Sequence, residues 1–367
     1  MADGGPRMTT TITNTAVFDG HDLLPGRYDV RVDGATIATV APAGVAEPVG
    51  PVIDAAGATL LPGLIDGHVH FLQPDDFTAL LDGGVTSAAD MATWPPEHLA
   101  VLRSQSRGVT FRTSGAPLIG PSGPHSHMPG LTEAVISSPA AARREVAARV
   151  AQGVDYLKLV LEAEGRGGPD RDSARAAVEA AHDAGLRVVA HASAVGAIEL
   201  AVELGVDILT HAPLDGTVSP PTVARIVAKG LVVIPTLIMM RTTAARRGML
   251  AAYDSSRRFV ADLHDAGATI VAGTDANSAP GAPATVPHRT GLHDELALLV
   301  DAGLSPVEAL RSATAVAARL FAWDDRGSVR PGARADLLLV DGDPTARIGD
   351  ITAVRAVWLA GEATTTP

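Results

Sequence analysis

The central part of the chain alternates short apolar runs with longer segments rich in Ala, Leu and Arg. Apolar runs that are not interrupted by polar residues are typical of strands covered on both faces, as in a parallel sheet. The intervening segments have helical spacing, and several end in a Gly before the next strand. Eight such units predict an α/β fold, a (β/α)8 TIM barrel over residues 61–325. The apolar runs lie at 60–70, 84–91, 109–119, 154–161, 187–192, 206–212, 231–237 and 268–276.

The two ends of the chain have a different pattern, with short strands separated by turns. Residues 1–60 contain "VFDG" and "VRVDGATIATV", and residues 326–367 contain "ADLLLV" and "AVRAVWLAG". We expect the two ends to meet in space and to form one small composite β-sandwich domain. The barrel would then be inserted between the N-terminal and C-terminal parts of that domain.

Composition narrows the classes of function. The formal net charge of −12 argues against nucleic acid or an anionic membrane as a partner. Cysteine is absent, so a metal site would have to use His, Asp, Glu or a less common ligand. No apolar run has the length of a membrane helix, and the N-terminal residues lack the apolar segment of a secretory signal. A cytoplasmic location is expected.

Residues that could bind a metal ion or take part in catalysis lie where the predicted strands end. In such barrels this face carries the active site. His68 and His70 close the first strand, and their alternation places both imidazoles on one face. The fourth strand contains Lys158, one of only two lysines among 29 basic residues. The set of strand-end candidates is His68, His70, Lys158, His191, His211 and Asp275.

Each of these residues also has an ordinary structural interpretation. A single strand-end histidine is commonly a polar residue with its hydrogen bonds satisfied. Asp275 could cap the loop that follows, and Lys158 could extend its ammonium group to water from a strand end. The convergence of all six residues on one end of a barrel favours a shared site.

These motifs resemble the amidohydrolase superfamily in its binuclear-metal form, and more closely its imidazolonepropionase-like and prolidase-like branch. The resemblance lies in "DGHVH" on strand 1, a lysine on strand 4, single histidines on strands 5 and 6, and "GTD" on strand 8. The segments "LLPGLIDGHVH" and "GSVRPGARADLLLVDGDP" are similar to the places where such chains enter and leave the barrel. The resemblance therefore covers nearly the whole chain.

The resemblance implies two divalent metal ions and a lysine that has reacted with CO2. Carboxylated Lys158 would bridge both ions, one of which would also bind His68, His70 and Asp275. The other would bind His191 and His211. Zinc is the usual metal in that family, and Mn, Co or Fe can replace it. A hydroxide held between the ions would be the nucleophile, with Asp275 and Lys158 as the catalytic residues.

The reaction with CO2 requires a neutral amine. Burial and neighbouring cations both disfavour the charged form of Lys158, whereas an arginine would stay protonated. A neutral Lys158 amine could take up CO2 and supply a negative charge where positive charge is densest.

Contacts with the substrate are predicted at four further residues. The segment "GPHSHMPG" after strand 3 contains His125 and His127, and either one faces the pocket or both belong to a surface turn. Tyr156 shares the inward face of strand 4 with Lys158. Arg241, after strand 7, either binds a substrate carboxylate or is a solvated surface residue.

The predicted function is a metal-dependent hydrolase that cleaves an amide or cyclic amide bond of a small molecule. The enzyme would act on carbon–nitrogen bonds other than peptide bonds, or be dipeptidase-like, with a dipeptide or an N-acyl amino acid as example substrates. A lactonase, carbamate hydrolase or phosphotriesterase would use the same metal site. A metal-free, non-catalytic scaffold protein is the alternative from another class. A homo-oligomer is left open.

Overall fold

The computed structural model of this chain describes residues 9–279, 282 and 284–364. Residues 1–8 and 365–367, which belong to the predicted terminal domain, lie outside the described residues. The same holds for 280, 281 and 283 in the segment after Asp275. No helix in the described part of the chain is long and apolar enough to cross a membrane.

Strands and helices alternate through the centre of the chain, while both ends contain mainly strands. The strands are β1 (Thr9–Val17), β2 (Tyr28–Asp33), β3 (Thr36–Pro42), β4 (Val52–Asp54), β5 (Thr59–Pro62), β6 (Leu64–Val69), β7 (Val85–Asp90), β8 (Thr110–Thr113), β9 (Leu157–Val160), β10 (Val188–His191), β11 (Ile208–Thr210), β12 (Val232–Ile234), β13 (Thr269–Ile270), β14 (Leu337–Val340), β15 (Val354–Leu359) and β16 (Glu362–Ala363). The helices are α1 (Asp75–Asp82), α2 (Pro96–Ser104), α3 (Pro139–Ala151), α4 (Arg171–Asp183), α5 (Val195–Leu204), α6 (Pro220–Ala228), α7 (Leu237–Arg246), α8 (Tyr253–Asp265), α9 (Gly291–Asp301), α10 (Pro306–Ser312) and α11 (Ala315–Leu320). Short 3-10 helices span Pro124–His127, Thr132–Ala134, Leu250–Ala252 and Ile348–Thr352.

The central strands are parallel and form two sheets. One sheet has the order β6-β7-β8 and the other has the order β13-β12-β11-β10-β9. Parallel bridges connect their edges, from Val69 to Ala276 and from Leu118 to Leu159. This arrangement is a mixed α/β fold of the TIM-barrel-like type. The closure of all its strands into one barrel stays a prediction.

The sequence forms these elements because each has a defined buried face. In α4 the buried positions Ala174, Ala177, Val178 and Ala181 recur at helical spacing, and the Asp170 side chain caps the helix by accepting from Ser173 N. In β9 the leucines on either side of Lys158 are fully buried in the large apolar core. The alternation of a strand therefore turns Lys158 away from the helices.

The two ends of the chain share one sheet. Its strand order is β16-β15-β14-β5-β1-β2-β3, with β4 paired to β1. The connection between the ends is the antiparallel pairing of β5 with β14, in which Leu61 lies opposite Leu338. A separate apolar cluster contains Val30, Leu60 and Trp358, which belong to three strands of this sheet. The assignment of these segments to a composite sandwich domain, with boundaries at 60 and 326, stays a prediction.

Candidate metal centre

Histidine side chains from two strand ends converge on a carboxylate from a third. His68 lies in β6 and His70 follows its end, while His211 follows β11 and Asp275 lies beyond β13. Oδ1 of Asp275 is 3.0 Å from Nε2 of His70 and 3.4 Å from Nε2 of His68. Its Oδ2 is 3.9 Å from Nδ1 of His211. The structure thus brings together four of the six residues predicted from strand ends.

Lys158 is buried beside this group. Its side chain leaves the middle of β9, the residue is 3% exposed, and Nζ donates to Oγ1 of Thr210 at 2.9 Å. Burial lowers the pKa of Lys158 to about 7, although the charges of Asp275 and Asp90 act in the opposite direction. A substantial fraction of this lysine is therefore a neutral amine near neutral pH.

The imidazoles form a row that extends beyond Asp275. Ring centroids are 4.9 Å apart for His68 and His211, 4.3 Å for His211 and His191, and 4.8 Å for His191 and His125. Burial lowers the pKa of His68 to about 3, and it lowers the pKa values of His191 and His211 well below their usual range. These rings are neutral at pH 7, so each has a nitrogen lone pair available to a metal ion.

Asp275 is ionised throughout the neutral range. Burial alone would raise its pKa, but electrostatic attraction to His68 and His70 and hydrogen bonds with their rings hold the pKa well below the usual value. Its backbone has a φ of 58°, in the left-handed region that is sparsely populated by residues other than glycine. His211 and Thr236, at two other strand ends, also have positive φ angles of 77° and 47°. Backbone strain of this kind concentrates at functional sites.

The residues fit a divalent metal ion. Ligand atoms of His68, His70 and Asp275 all lie within 4.8 Å of one another. Nδ1 of His68 is buried and has no hydrogen-bond partner among the described residues. A set of imidazole nitrogens and a carboxylate suits zinc and similar borderline cations. A second group with the same property comprises His125, Glu162 and His191.

Asp66 connects the two strand ends that contribute to this centre. One of its oxygens accepts from the backbone N of His68 and of Thr274, both at 3.1 Å, and the other accepts from Thr274 Oγ1 at 2.7 Å. Asp66 is fully buried, and burial raises its pKa to about 7. These bonds fix the spacing between His68 and the segment that carries Asp275. Asp66 belongs to the "DGHVH" motif, which could have revealed it.

A second support holds His211. Its Nδ1 lies 2.8 Å from Oγ1 of the buried Thr236. Helix α7 begins directly after Thr236, and its first two backbone N–H groups, at Leu237 and Ile238, donate to the carboxyl group of Glu295 at 3.0 and 2.7 Å. Glu295 thus takes the place of a capping side chain at the N-terminus of α7. Thr236 and Glu295 were not predicted from the sequence, because nothing in their local pattern marks them.

Asp90 is another residue that sequence analysis missed. It is fully buried at the end of β7, and its Oδ2 accepts from the hydroxyl groups of Thr93 and Thr113. Its Oδ1 is buried without a partner among the described residues. Applied to β7, the rule that strand ends carry the site would have found it.

The four predicted substrate contacts have different positions. His125 is half-buried next to His191, whereas His127 in the same turn is exposed and Arg241 is exposed on α7. Tyr156 is 4% exposed, and its hydroxyl donates to the backbone carbonyl of Asp90 at 2.7 Å. The side chain packs with the apolar cluster that contains Ile65, Val189 and Phe321. The predicted contact of Tyr156 with the substrate stays a prediction.

Fold and site together define a class of protein: a TIM-barrel-like chain with histidines and a carboxylate gathered at the ends of parallel strands. A model of the Amidohydrolase family matches residues 59–364. The chain therefore belongs to the amidohydrolase family. Its similarity to imidazolonepropionases places it on the imidazolonepropionase-like and prolidase-like branch, as the sequence predicted. Membership supports a hydrolase that acts on carbon–nitrogen bonds.

Individual relatives agree with this assignment. The imidazolonepropionase of Salinispora arenicola is 28% identical over 365 residues, which cover 90% of this chain and 90% of the relative. The crystal structure of a Xaa-Pro dipeptidase with bound methionine in the active site matches with a TM-score of 0.84, at 21% identity, over 98% of this chain and 100% of that chain. Phenylurea hydrolase B matches with a TM-score of 0.79, at 24% identity, over 97% and 96% of the two chains. The two structural matches show the fold.

Proposed function

We propose that this protein is a metal-dependent amidohydrolase that cleaves an amide or cyclic amide bond of a small molecule at a binuclear centre. In this proposal His68, His70 and Asp275 hold one divalent ion, and His191 and His211 hold the other. Lys158, after reaction with CO2, would supply a carboxylate ligand to both. When bound, such ions make a coordinated water molecule acidic and polarise a carbonyl oxygen.

The observation that carries the proposal is the position of Lys158. A buried lysine with its pKa lowered to about 7 lies beside four imidazoles and an ionised aspartate. A buried ammonium group that served only the fold would be expected to pair with a carboxylate. Lys158 Nζ instead donates to the hydroxyl of Thr210. A neutral amine in this place is the form that reacts with CO2.

Each residue has a defined task in this mechanism. The neutral rings of His68, His191 and His211 supply lone pairs, and Thr236 fixes the orientation of His211. Oδ2 of Asp275 lies 3.9 Å from Nδ1 of His211. This oxygen takes the proton of the attacking water and delivers it to the leaving nitrogen. Because its pKa is lowered, Asp275 is in the basic form that the first step requires.

A cyclic amide is the favoured substrate class. The relative from Salinispora arenicola is named imidazolonepropionase, a name that denotes an imidazolone, which is a cyclic amide, and it matches 90% of this chain. A lactone, carbamate or phosphotriester offers the same kind of electrophile, so the metal ligands alone do not separate these substrates.

The test compares the two lysines of the chain. The protein is loaded with zinc in bicarbonate buffer and assayed against cyclic amides, X-Pro dipeptides, N-acyl amino acids, lactones, carbamates and phosphotriesters. We expect Lys158→Ala to abolish hydrolysis, and a small carboxylic acid such as formate to restore part of it. Lys229→Ala is the matched control, since Lys229 Nζ donates to the carbonyl of Val202 away from the site.

Full activity of Lys158→Ala with normal metal content would refute the proposed mechanism. Turnover of lactones or phosphotriesters in preference to every amide would be consistent with the proposed metal site. It would show that the bond cleaved is not an amide. A wild-type protein that binds no metal after loading would support the scaffold alternative.

A further inference from the structure

Glu162 is a carboxylate at the outer edge of the site, and among the described residues its ion-pair contact is with a histidine. It lies two residues after the end of β9, and its side chain is only 14% exposed. Within the described part of the chain no Lys or Arg forms an ion pair with it. The nearest titratable contact is Nδ1 of His125, at 3.7 Å from its Oε1.

His125 presents an unsatisfied nitrogen to the same space. Its Nδ1 is buried and has no hydrogen-bond partner among the described residues. The ring stands edge-on to that of His191 with 4.8 Å between centroids. A buried polar atom without a hydrogen bond costs free energy, so a buried imidazole nitrogen that lies 3.7 Å from a carboxylate favours a bound ligand between them.

Two glycine-rich loops fix this geometry. The loop that carries His125 and the loop that carries Glu162 touch through their backbones, and Ser122 N donates to Gly167 O at 3.2 Å. A Cβ at Gly167 would stand 2.3 Å from the carbonyl carbon of Ser122, so no side chain fits there. The close backbone contact keeps Glu162 and His125 next to each other.

We propose that His125, Glu162 and His191 bind a divalent metal ion. Their ligand atoms all lie within 4.8 Å of one another. Two imidazoles and one glutamate form a donor set that zinc uses in catalytic sites, where a further position stays open for water or substrate. This outer site is distinct from the group formed by His68, His70 and Asp275.

The outer site changes what is expected of the second ion. His191 is also a ligand in the proposed binuclear centre, and one ring nitrogen binds one ion. The second ion therefore has two alternative positions, an inner one with His211 and an outer one with Glu162. In the outer position it lies next to the loop after β8 and so reaches substrate groups farther from Asp275. This consequence rests on the proposed function, whereas the outer site itself does not.

The direct test locates zinc by anomalous scattering. Crystals of the wild type, Glu162→Gln, His125→Asn and Glu164→Gln are soaked with zinc in slight excess, and anomalous difference maps are compared. We expect a peak bonded to all three outer ligands in the wild type. Glu162→Gln and His125→Asn should lose that peak and keep the one at His68 and His70. Glu164, exposed in the same loop, is the matched control and should leave both peaks in place.

A solution measurement provides an independent readout. Competition titrations with a chromophoric chelator measure zinc affinity. Glu162→Gln and His125→Asn should lower the affinity for the more weakly bound zinc ion by about 10-fold or more. Glu164→Gln should match the wild type.

The outcomes separate the two proposals. Zinc at His68 and His70, with none within bonding distance of Glu162, would overturn the outer site and leave the proposed function intact. Zinc at neither position would overturn both. Unchanged zinc affinity in Glu162→Gln and His125→Asn would also overturn the outer site.

Discussion

The hydrogen bond between Thr236 and His211 provides a sharp test of how the metal ligands are oriented. Thr236→Val removes the hydroxyl that lies 2.8 Å from Nδ1 of His211 and keeps the shape and β-branching of the side chain. Thr236→Ser keeps the hydroxyl and is the matched control. Both variants retain a residue at the left-handed φ of 47°, so Val and Thr share the same backbone strain.

The magnitude follows from burial. His211 is 3% exposed, so its Nδ1–H would lose its partner without gaining water. Such an orphaned group costs about 1–3 kcal/mol of stability. With Thr236 Oγ1 as the acceptor, the bond would hold the proton on Nδ1 and leave Nε2 free for a metal ion. Loss of such a supporting partner lowers metal affinity by about 10–100-fold.

The assay has two parts. Chemical unfolding of the metal-free protein gives the change in stability, and competition with a chelator gives the zinc affinity. We expect Thr236→Val to have lower stability and lower zinc affinity than the wild type. Thr236→Ser should stay close to the wild type in zinc affinity. Equal zinc affinity for the Val and Ser variants would refute the argument that this hydroxyl sets the tautomer of His211.

Three further predictions concern the surroundings of the site. Burial raises the pKa of Glu295 to about 8, so unfolding releases its proton between about pH 4.5 and pH 8. Between about pH 5 and pH 8, the free energy of unfolding of the wild type should therefore fall by roughly 2–4 kcal/mol relative to that of Glu295→Gln, as measured by chemical unfolding. Parallel curves of unfolding free energy against pH for the two proteins would contradict this. A Cβ at Gly273 would stand 2.8 Å from the backbone N of His68, so Gly273→Ala should lose about 2 kcal/mol or more. At Gly349 no atom lies within 4 Å of the added Cβ, so Gly349→Ala should change the stability little. Equal unfolding midpoints for the Gly273→Ala and Gly349→Ala variants would exclude the clash at Gly273. Tyr156→Phe should lose about 1 kcal/mol of stability and leave KM unchanged. A large rise in KM would instead show that Tyr156 contacts the substrate.

The strands and their end residues were predictable because two simple periodicities encode them. Alternation along "DGHVH" places His68 and His70 on one face, and parallel strands bring their carboxyl ends to one edge. The same reasoning gives Tyr156 the face of Lys158 but not its depth. Its side chain is 4% exposed and its hydroxyl donates to the backbone carbonyl of Asp90, which alternation along the strand alone does not reveal.

The parts that could not be predicted depend on contacts between segments far apart in the chain. Glu295 is more than fifty residues from the helix it caps, and no local pattern connects the two. Glu162 sits in a loop whose conformation depends on backbone contact with the loop around Gly123. A single sequence gives the spacing of residues within a strand, but it does not give the packing of one loop on another.

The central claim is that Lys158 carries a carboxylate that joins two metal ions. The most direct measurement is a crystal structure of the zinc-loaded protein grown in bicarbonate. The account predicts density for a carboxylate on Nζ of Lys158, bonded on one side to an ion held by His68 and His70 and on the other to a second ion. A free amine still donating to Thr210, with the ions bound elsewhere or not at all, would contradict it.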